Sequence, residues 1–313
     1  MSVPGSAPSS RIRRAPPEGP TGTVSASIRA VPPPILVLLS IASAQIGAAL
    51  AKNLFHSIGP TGAVFLRVAF AALVILVVWR PSLRGYSWRE YRWALFFGAV
   101  LAAMNFSFYS SLDRLPLGVA VTVEFIGPLG VALVGSRRMI DIFWVVLAGA
   151  GIVLLAPTGL FGGVSLDPLG VALALLAGVF WGTYILLSAR VGRVFPGVTG
   201  LALAMAFAAL LLVPVGVFGA GSVLLNGNFL LLGAGIALLS SVLPYSLELE
   251  ALRQMSSRVF GVLMSLEPGI AALVGIVLLH EQLELRAVIA IVLVTAASVG
   301  AARFSRSKHE ESD

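Results

Sequence analysis

From residue 35 onward, apolar residues recur in stretches, each near the ~20 residues a helix needs to cross a hydrocarbon core. Ten can be marked: 34–54, 61–79, 92–111, 117–135, 140–157, 168–188, 198–217, 228–249, 259–280 and 285–303. The connections are short, and most carry Gly, Pro or charge, which end helices. The pattern predicts an all-α membrane protein with ten transmembrane helices. Residues 1–34 differ, being rich in Pro, Ser, Gly and Arg without apolar periodicity, and are expected to be a disordered cytoplasmic tail. A signal peptide is the competing reading, with Arg29 as its basic start, ILVLLSI as its apolar core and Ala42-Ser43-Ala44 as its cleavage site. Against it, the apolar run continues past the small residues as a full span would. Residues 304–313 form a second cytoplasmic tail.

The chain also resembles itself. AFAALVIL at 69–76 is echoed by AFAALLLV at 206–213, and Thr61-Gly62 by Thr199-Gly200. IGPLGVALVG at 126–135 aligns with LEPGIAALVG at 266–275. Apolar sequence aligns easily, so no single match weighs much, but their common order and near-constant offset do. The repeats are residues 35–157 and 168–303, five spans each. Five is odd, so the halves are expected to lie in opposite orientations. Inverted repeats of this kind build secondary transporters, with the substrate site between the halves near the midplane.

Composition fits the pattern. Hydrophobic residues make up 58% of the 313 and charged ones only 11%, less than half the share in ordinary soluble domains. A soluble enzyme of this size is excluded. There is no cysteine and there are three histidines, His56, His280 and His309, so thiol chemistry is absent and a His-based metal site is not expected. The net charge of +7 would suggest nucleic acid in a soluble protein. Placing the charges removes that reading. With the N-terminus inside and the loops alternating, Lys52, Arg114 and Arg286 are the basic residues at outer ends and Arg67 lies within a span. The other seventeen of the 21 fall on the cytoplasmic side. That asymmetry is the positive-inside rule; it places both termini in the cytoplasm and calls for no nucleic-acid partner.

Few ionisable groups remain within the spans, and each costs roughly 2.5–3.5 kcal/mol at a helix centre. From a rise of ~1.5 Å per residue, Arg67 lies about 9 Å and Glu124 about 10 Å from the outer surface, and Glu267 about 13 Å from the inner one. Arg67 and Glu124 are level, so an ion pair between them is expected. They either neutralise each other and fix helix packing or line a transport path. Glu267 has no basic residue at its depth and is either path-lining and protonatable or satisfied by Ser or backbone. Lys52, Glu248 and Glu250 lie nearer the ends and can snorkel.

Prolines mark breaks at the same places. Pro128 leaves the carbonyl of Glu124 without its helical donor, Pro268 does so for Met264, and Pro244 for Ser240, beside Ser241 and Tyr245. Interrupted segments at matching positions of two repeats point to a transporter site; ordinary packing kinks are the alternative. Asn105 and Tyr109 share a face of the third span, Trp181 and Tyr184 one of the sixth, and Gln45 and Ser43 lie on the first. Trp79, Trp88 and Trp93 read as interfacial belt residues. No phosphate loop, HExxH, GxSxG or dinucleotide fingerprint occurs, so transport is expected to be secondary and without a cofactor.

Two five-helix repeats, the second carrying SLEP at 265–268, resemble the EamA-type half-domains of the drug/metabolite transporter superfamily. GAALAKNLFHSIGPTGAVFLR (47–67), LPLGVAVTVEFIGPLGVALVGSRR (115–138), DIFWVVLAG (141–149), LPYSLELEALRQMSSRVFGVLMSLEP (243–268) and GIVLLHEQL at the end of the ninth span resemble its bacterial threonine/homoserine exporters. His280-Glu281 stands where Gly-Glu is common. The resemblance covers residues 35–303 and implies a multi-pass exporter of small amino acids in the bacterial inner membrane.

On this reading a zwitterionic amino acid binds at the midplane. Its carboxylate meets Arg67 with Lys52, and its ammonium meets Glu124 or Glu267. Asn105, Tyr109, Trp181, Tyr184, Tyr245 and Gln45 complete the wall. Glu124 and Glu267 are the proton-coupling candidates, since burial makes a carboxylate's charge costly to keep. The alternatives are an exporter of the same fold for another amino acid, a purine or a drug, a membrane-embedded enzyme, for which no acidic or His cluster is seen, and a channel or scaffold.

Overall fold

The computed structural model describes residues 31–81, 85–134, 139–155, 166–195 and 198–304. Nearly all of both expected tails, and the loop residues Arg84, Arg137 and Arg138, lie outside the described residues. Among the described residues every regular element is helical. In order these are α1 (Pro33–Asn53), α2 (Phe55–Trp79), α3 (Trp88–Leu112), α4 (Leu117–Glu124), α5 (Ile126–Val134), α6 (Met139–Leu155) and α7 (Pro168–Val194), then α8 (Thr199–Ala220), α9 (Gly227–Ala237), α10 (Leu243–Gln254), α11 (Ser257–Met264), α12 (Glu267–Leu279) and α13 (Leu285–Phe304). A 3-10 turn, Gly221–Leu225, follows α8, and a π-helical segment, Leu238–Val242, joins α9 to α10.

Among the described residues each apolar stretch is mainly helical, and seven helices are long and apolar enough to cross a membrane. They are α1, α2, α3, α7, α8 with its turn, α9 through α10, and most of α11 through α12. Shorter apolar helices run over Leu117–Val131 and Leu285–Ala301. The outer surface is apolar too: Leu73, Val179, Leu186, Phe218 and Leu273 are all more than half exposed. A surface of that kind suits lipid.

Local chemistry explains the ends. Ser87 and Glu90 form a capping box, the Ser87 N–H donating to Glu90 Oε2 at 2.6 Å, which starts α3 at Trp88 rather than at 92. In α2 a first turn is set off by Gly59 at φ 66° before Pro60, so the long straight part begins where the apolar pattern placed it. Asp167 caps α7 by accepting from the Leu169 N–H at 2.8 Å, and it pairs with Arg114 at 2.7 Å across the chain. The Arg114 guanidinium holds the Asp167 carboxyl below the usual carboxylate range.

The helices interleave. α1 packs against α10 and α12; α7 packs against α3, α4 and α5. α2 lies against α8 and α9, α3 against α8, α4 against α12, and α6 against α13. Small residues allow the closest crossings. A Cβ on Gly178 would stand 2.6 Å from the Glu124 carbonyl oxygen, and one on Gly47 2.7 Å from Ser240 Cβ. Both crossings fall at helix interruptions, so glycine lets a neighbouring backbone reach each break.

Substitution at Gly178 is therefore expected to cost more than helix propensity explains. Gly178→Ala should destabilise the protein by about 1–3 kcal/mol through overpacking. Gly192→Ala, on the same helix with open space around it, should gain about 0.5–1 kcal/mol. Thermal melting in detergent separates the two; equal shifts would contradict the close crossing.

Candidate functional site

Three helix interruptions meet around one cavity of about 550 Å³. The first is at Phe125, between α4 and α5, just before Pro128. The second is at Ser265-Leu266, between α11 and α12, just before Pro268. The third is the π-helical segment before Pro244. Backbone that leaves the helical ladder away from water must be satisfied by protein or a wet cavity. Side chains do part of this here. Arg67 Nη2 donates to the Ser240 carbonyl at 3.2 Å, the group that Pro244 leaves without its helical donor. Arg67 Nε donates to Ser241 Oγ at 3.4 Å, and Ser43 Oγ to the Leu239 carbonyl at 2.7 Å.

Of the ten residues expected at the site, eight line the cavity: Gln45, Arg67, Asn105, Glu124, Trp181, Tyr184, Tyr245 and Glu267. Tyr109 and Lys52 do not. Tyr109 is fully buried, its ring centroid 5.4 Å from the Arg67 guanidinium carbon, so it braces Arg67 by cation–π attraction. Lys52 lies a turn beyond the cavity on α1, and its ammonium is 2.7 Å from Glu281 Oε1.

The expected Arg67–Glu124 ion pair is not formed. Both side chains line the cavity, but Arg67 is held by the Ser240 carbonyl, Ser241 and the Tyr109 ring. Those two hydrogen bonds use two of the five guanidinium N–H donors. Glu267 has a partner that depth alone did not reveal: Gln45 Nε2 donates to its Oε1 at 3.0 Å. Glu267 Oε2 and Gln45 Oε1 are buried without a hydrogen-bond partner. Each unmet acceptor of this kind costs about 1–3 kcal/mol.

Glu248 was expected to snorkel at a helix end. It lines the cavity instead and accepts from Ser40 Oγ at 2.6 Å. Its position was readable: it stands three residues after Tyr245 and seven after Ser241, on one helix face. Glu250 does not line the cavity; it accepts from Arg253 at 3.2 Å and Gln254 at 3.1 Å. Aromatic contacts fix the rest of the wall. Trp181 stands edge-on to Phe125 with ring centroids 5.5 Å apart, and Tyr184 stacks on Phe97 at 5.1 Å. Asn105 Nδ2 donates to the Leu101 carbonyl at 2.9 Å. Of the expected belt residues, Trp88 is exposed and Trp93 carries the Arg190 guanidinium over its ring at 4.3 Å.

An apolar helical shell around a cavity holding an arginine and three carboxylates is the make-up of a multi-pass membrane transporter. Comparison with known proteins narrows the class. The model of the EamA-like transporter family matches residues 168–303. Threonine/homoserine exporter RhtA of Escherichia coli K12 is 42% identical over 278 residues, 88% of this chain and 93% of that protein. RhtA of Salmonella typhimurium SL1344 is 42% identical over 268 residues, 85% of this chain and 90% of that protein. An uncharacterized transporter of Bacillus subtilis, YxxF, is 24% identical over 246 residues. One solved crystal structure shares the fold, with a TM-score of 0.59 and 19% identity over 87% of this chain and 97% of that one. The chain belongs to the EamA-like transporter family, and it is a transporter rather than an enzyme.

The bracing of Arg67 can be measured. Tyr109→Phe keeps the ring face and should change the melting temperature little. Tyr109→Leu should lose about 1–2 kcal/mol of cation–π attraction in addition to packing. Equal losses in the two variants would argue against a role for the ring face.

Proposed function

We propose that this chain is a secondary-active exporter of threonine, homoserine and similar small amino acids in a bacterial inner membrane, with both termini in the cytoplasm. Its helices make ten spans that act as two inverted five-span repeats, 35–157 and 168–303, that alternate access to one central site. The names of the relatives at 42% identity support the substrate class. The packing supports the repeat: the main contacts of one half with the other have counterparts with the halves exchanged. α1 on α10 mirrors α7 on α3, and α1 on α12 mirrors α7 on α5. The two prolines aligned by the repeat, Pro128 and Pro268, each follow a break at the cavity.

The observation that carries the reading is the charge layout of the cavity. Arg67 is fixed on one wall with N–H donors left over, and Glu267 stands on another with one oxygen unmet. The substrate carboxylate binds Arg67. The ammonium binds the Glu267–Gln45 pair, whose two unmet acceptors suit a group with three N–H donors. Charge-assisted contacts of this kind are the strong ones in a low dielectric. Glu124 and Glu267 exchange the coupling proton: an unmet buried oxygen is relieved equally by a proton or by an ammonium, so the two ligands compete. An exporter of the same fold for other amino acids, purines or drugs is the second reading, favoured by a cavity larger than threonine alone requires.

Efflux of labelled threonine from loaded vesicles tests this. Losing one partner of a buried charge contact costs about 2–5 kcal/mol, so Glu267→Gln, Glu124→Gln and Arg67→Lys should each slow efflux at least tenfold. Wild-type-like efflux from both glutamine variants would sink the carboxylate mechanism. Efflux indifferent to a protonophore would remove proton coupling while leaving the substrate assignment intact.

A further inference from the structure

Lys52 and Glu281 stand outside the substrate site, and their geometry gives them another task. Lys52 follows the cavity-lining Ala48 by one helical turn, about 6 Å along α1. Its Nζ donates to Glu281 Oε1 at 2.7 Å and to the Leu115 carbonyl at 2.6 Å. The other oxygen, Glu281 Oε2, accepts from the Leu117 N–H at 2.8 Å, the first residue of α4. Leu117 in turn precedes the cavity-lining Val121 by one turn. One carboxylate thus joins α1, the start of α4 and the end of α12.

The chain is shaped to put it there. His280 takes a left-handed conformation, φ 53°, that ends α12, and the Glu281 N–H bonds back to the Gly275 carbonyl at 3.1 Å. This turn folds the Glu281 side chain over Gly275, whose missing Cβ leaves it room. Around the junction Tyr109, Leu112, Leu115 and Leu117 are fully buried, so this end of the bundle is packed. The pair is itself largely shielded, with side-chain exposures of 21% and 11%. At that burial, removing one partner strands a charge.

We propose that Lys52 and Glu281 form a latch that seals the cavity from the outer face and must part before substrate leaves. This rests on the alternating-access reading. The latch couples the two repeats: Lys52, Leu115 and Leu117 belong to the first and Glu281 to the second. Its contacts exist only while that end is closed, so they bias the equilibrium toward the closed state.

The natural chain has no cysteine, which makes accessibility easy to read. A single cysteine at Ala48→Cys, or at Ala44→Cys deeper in the cavity, is exposed to a membrane-impermeant maleimide from outside in intact cells and from inside in inverted vesicles. With Lys52 and Glu281 present, labelling from outside should be slow. In Lys52→Ala or Glu281→Ala it should quicken at least about fivefold, the lower end of a coupling between two states. Lys52→Gln and Glu281→Gln give a milder form of the same test if the alanine variants do not fold, and labelling from inside reports folding. Unchanged outside labelling in all single variants, or a gain confined to the inner side, would overturn the latch. No substrate is needed, so the latch can fail while threonine export stands, and the reverse.

Discussion

A polar group in hydrocarbon has no water to turn to, and an unmet N–H, C=O or charge there costs several kcal/mol. Nearly every polar choice in this chain answers that constraint. The helices satisfy their own backbone, which lets the outer surface be leucine, valine and phenylalanine. At the π-helical break the freed groups find side chains from other helices: Ser240 and Leu239 carbonyls take Arg67 and Ser43. The breaks are therefore where polar side chains must gather. The site lies where three interruptions meet at one cavity.

Repair is incomplete, and that is what suits the cavity to a ligand. Arg67 keeps donors beyond those it gives to Ser240 and Ser241. Glu267 and Gln45 keep one oxygen each without a partner. A fully satisfied network would be rigid and inert; this one has unmet donors on one wall and unmet acceptors on another. An amino-acid zwitterion carries the complementary pair of charges. By contrast Lys52 and Glu281 satisfy each other and the adjoining backbone, as a closure requires.

Much of this was legible in the sequence, for physical reasons. The hydrophobic run length of a lipid-facing helix is dictated by bilayer thickness, so the apolar stretches marked the helices well. Prolines cannot donate, so Pro128, Pro244 and Pro268 marked the breaks, and the freed Ser240 carbonyl was identified before its partner was. The Ser87–Glu90 cap was readable as a motif, yet the apolar count started the helix later. What escaped was lateral. Equal depth suggested that Arg67 and Glu124 pair, but depth says nothing of azimuth, and Arg67 turns to the π-helical segment instead. Glu248 was assigned to a helix end because the apolar pattern stops at 249; α10 runs on to Gln254 and carries it inward. Glu281 lies after its span, and only the left-handed His280 brings it back. Glycine adopts that conformation without steric cost; here His280 takes it at φ 53°.

Recognition of a zwitterion by two opposed charges is tested most squarely by competition binding to the purified protein. Labelled threonine is displaced by unlabelled threonine, by threoninol, which lacks the carboxylate, and by N-acetylthreonine, which lacks the ammonium. Each analogue leaves one buried charge of the cavity unpaired, so each should compete at least tenfold more weakly than threonine. Equal competition by either analogue would contradict the pairing of Arg67 with the carboxylate or of Glu267 with the ammonium.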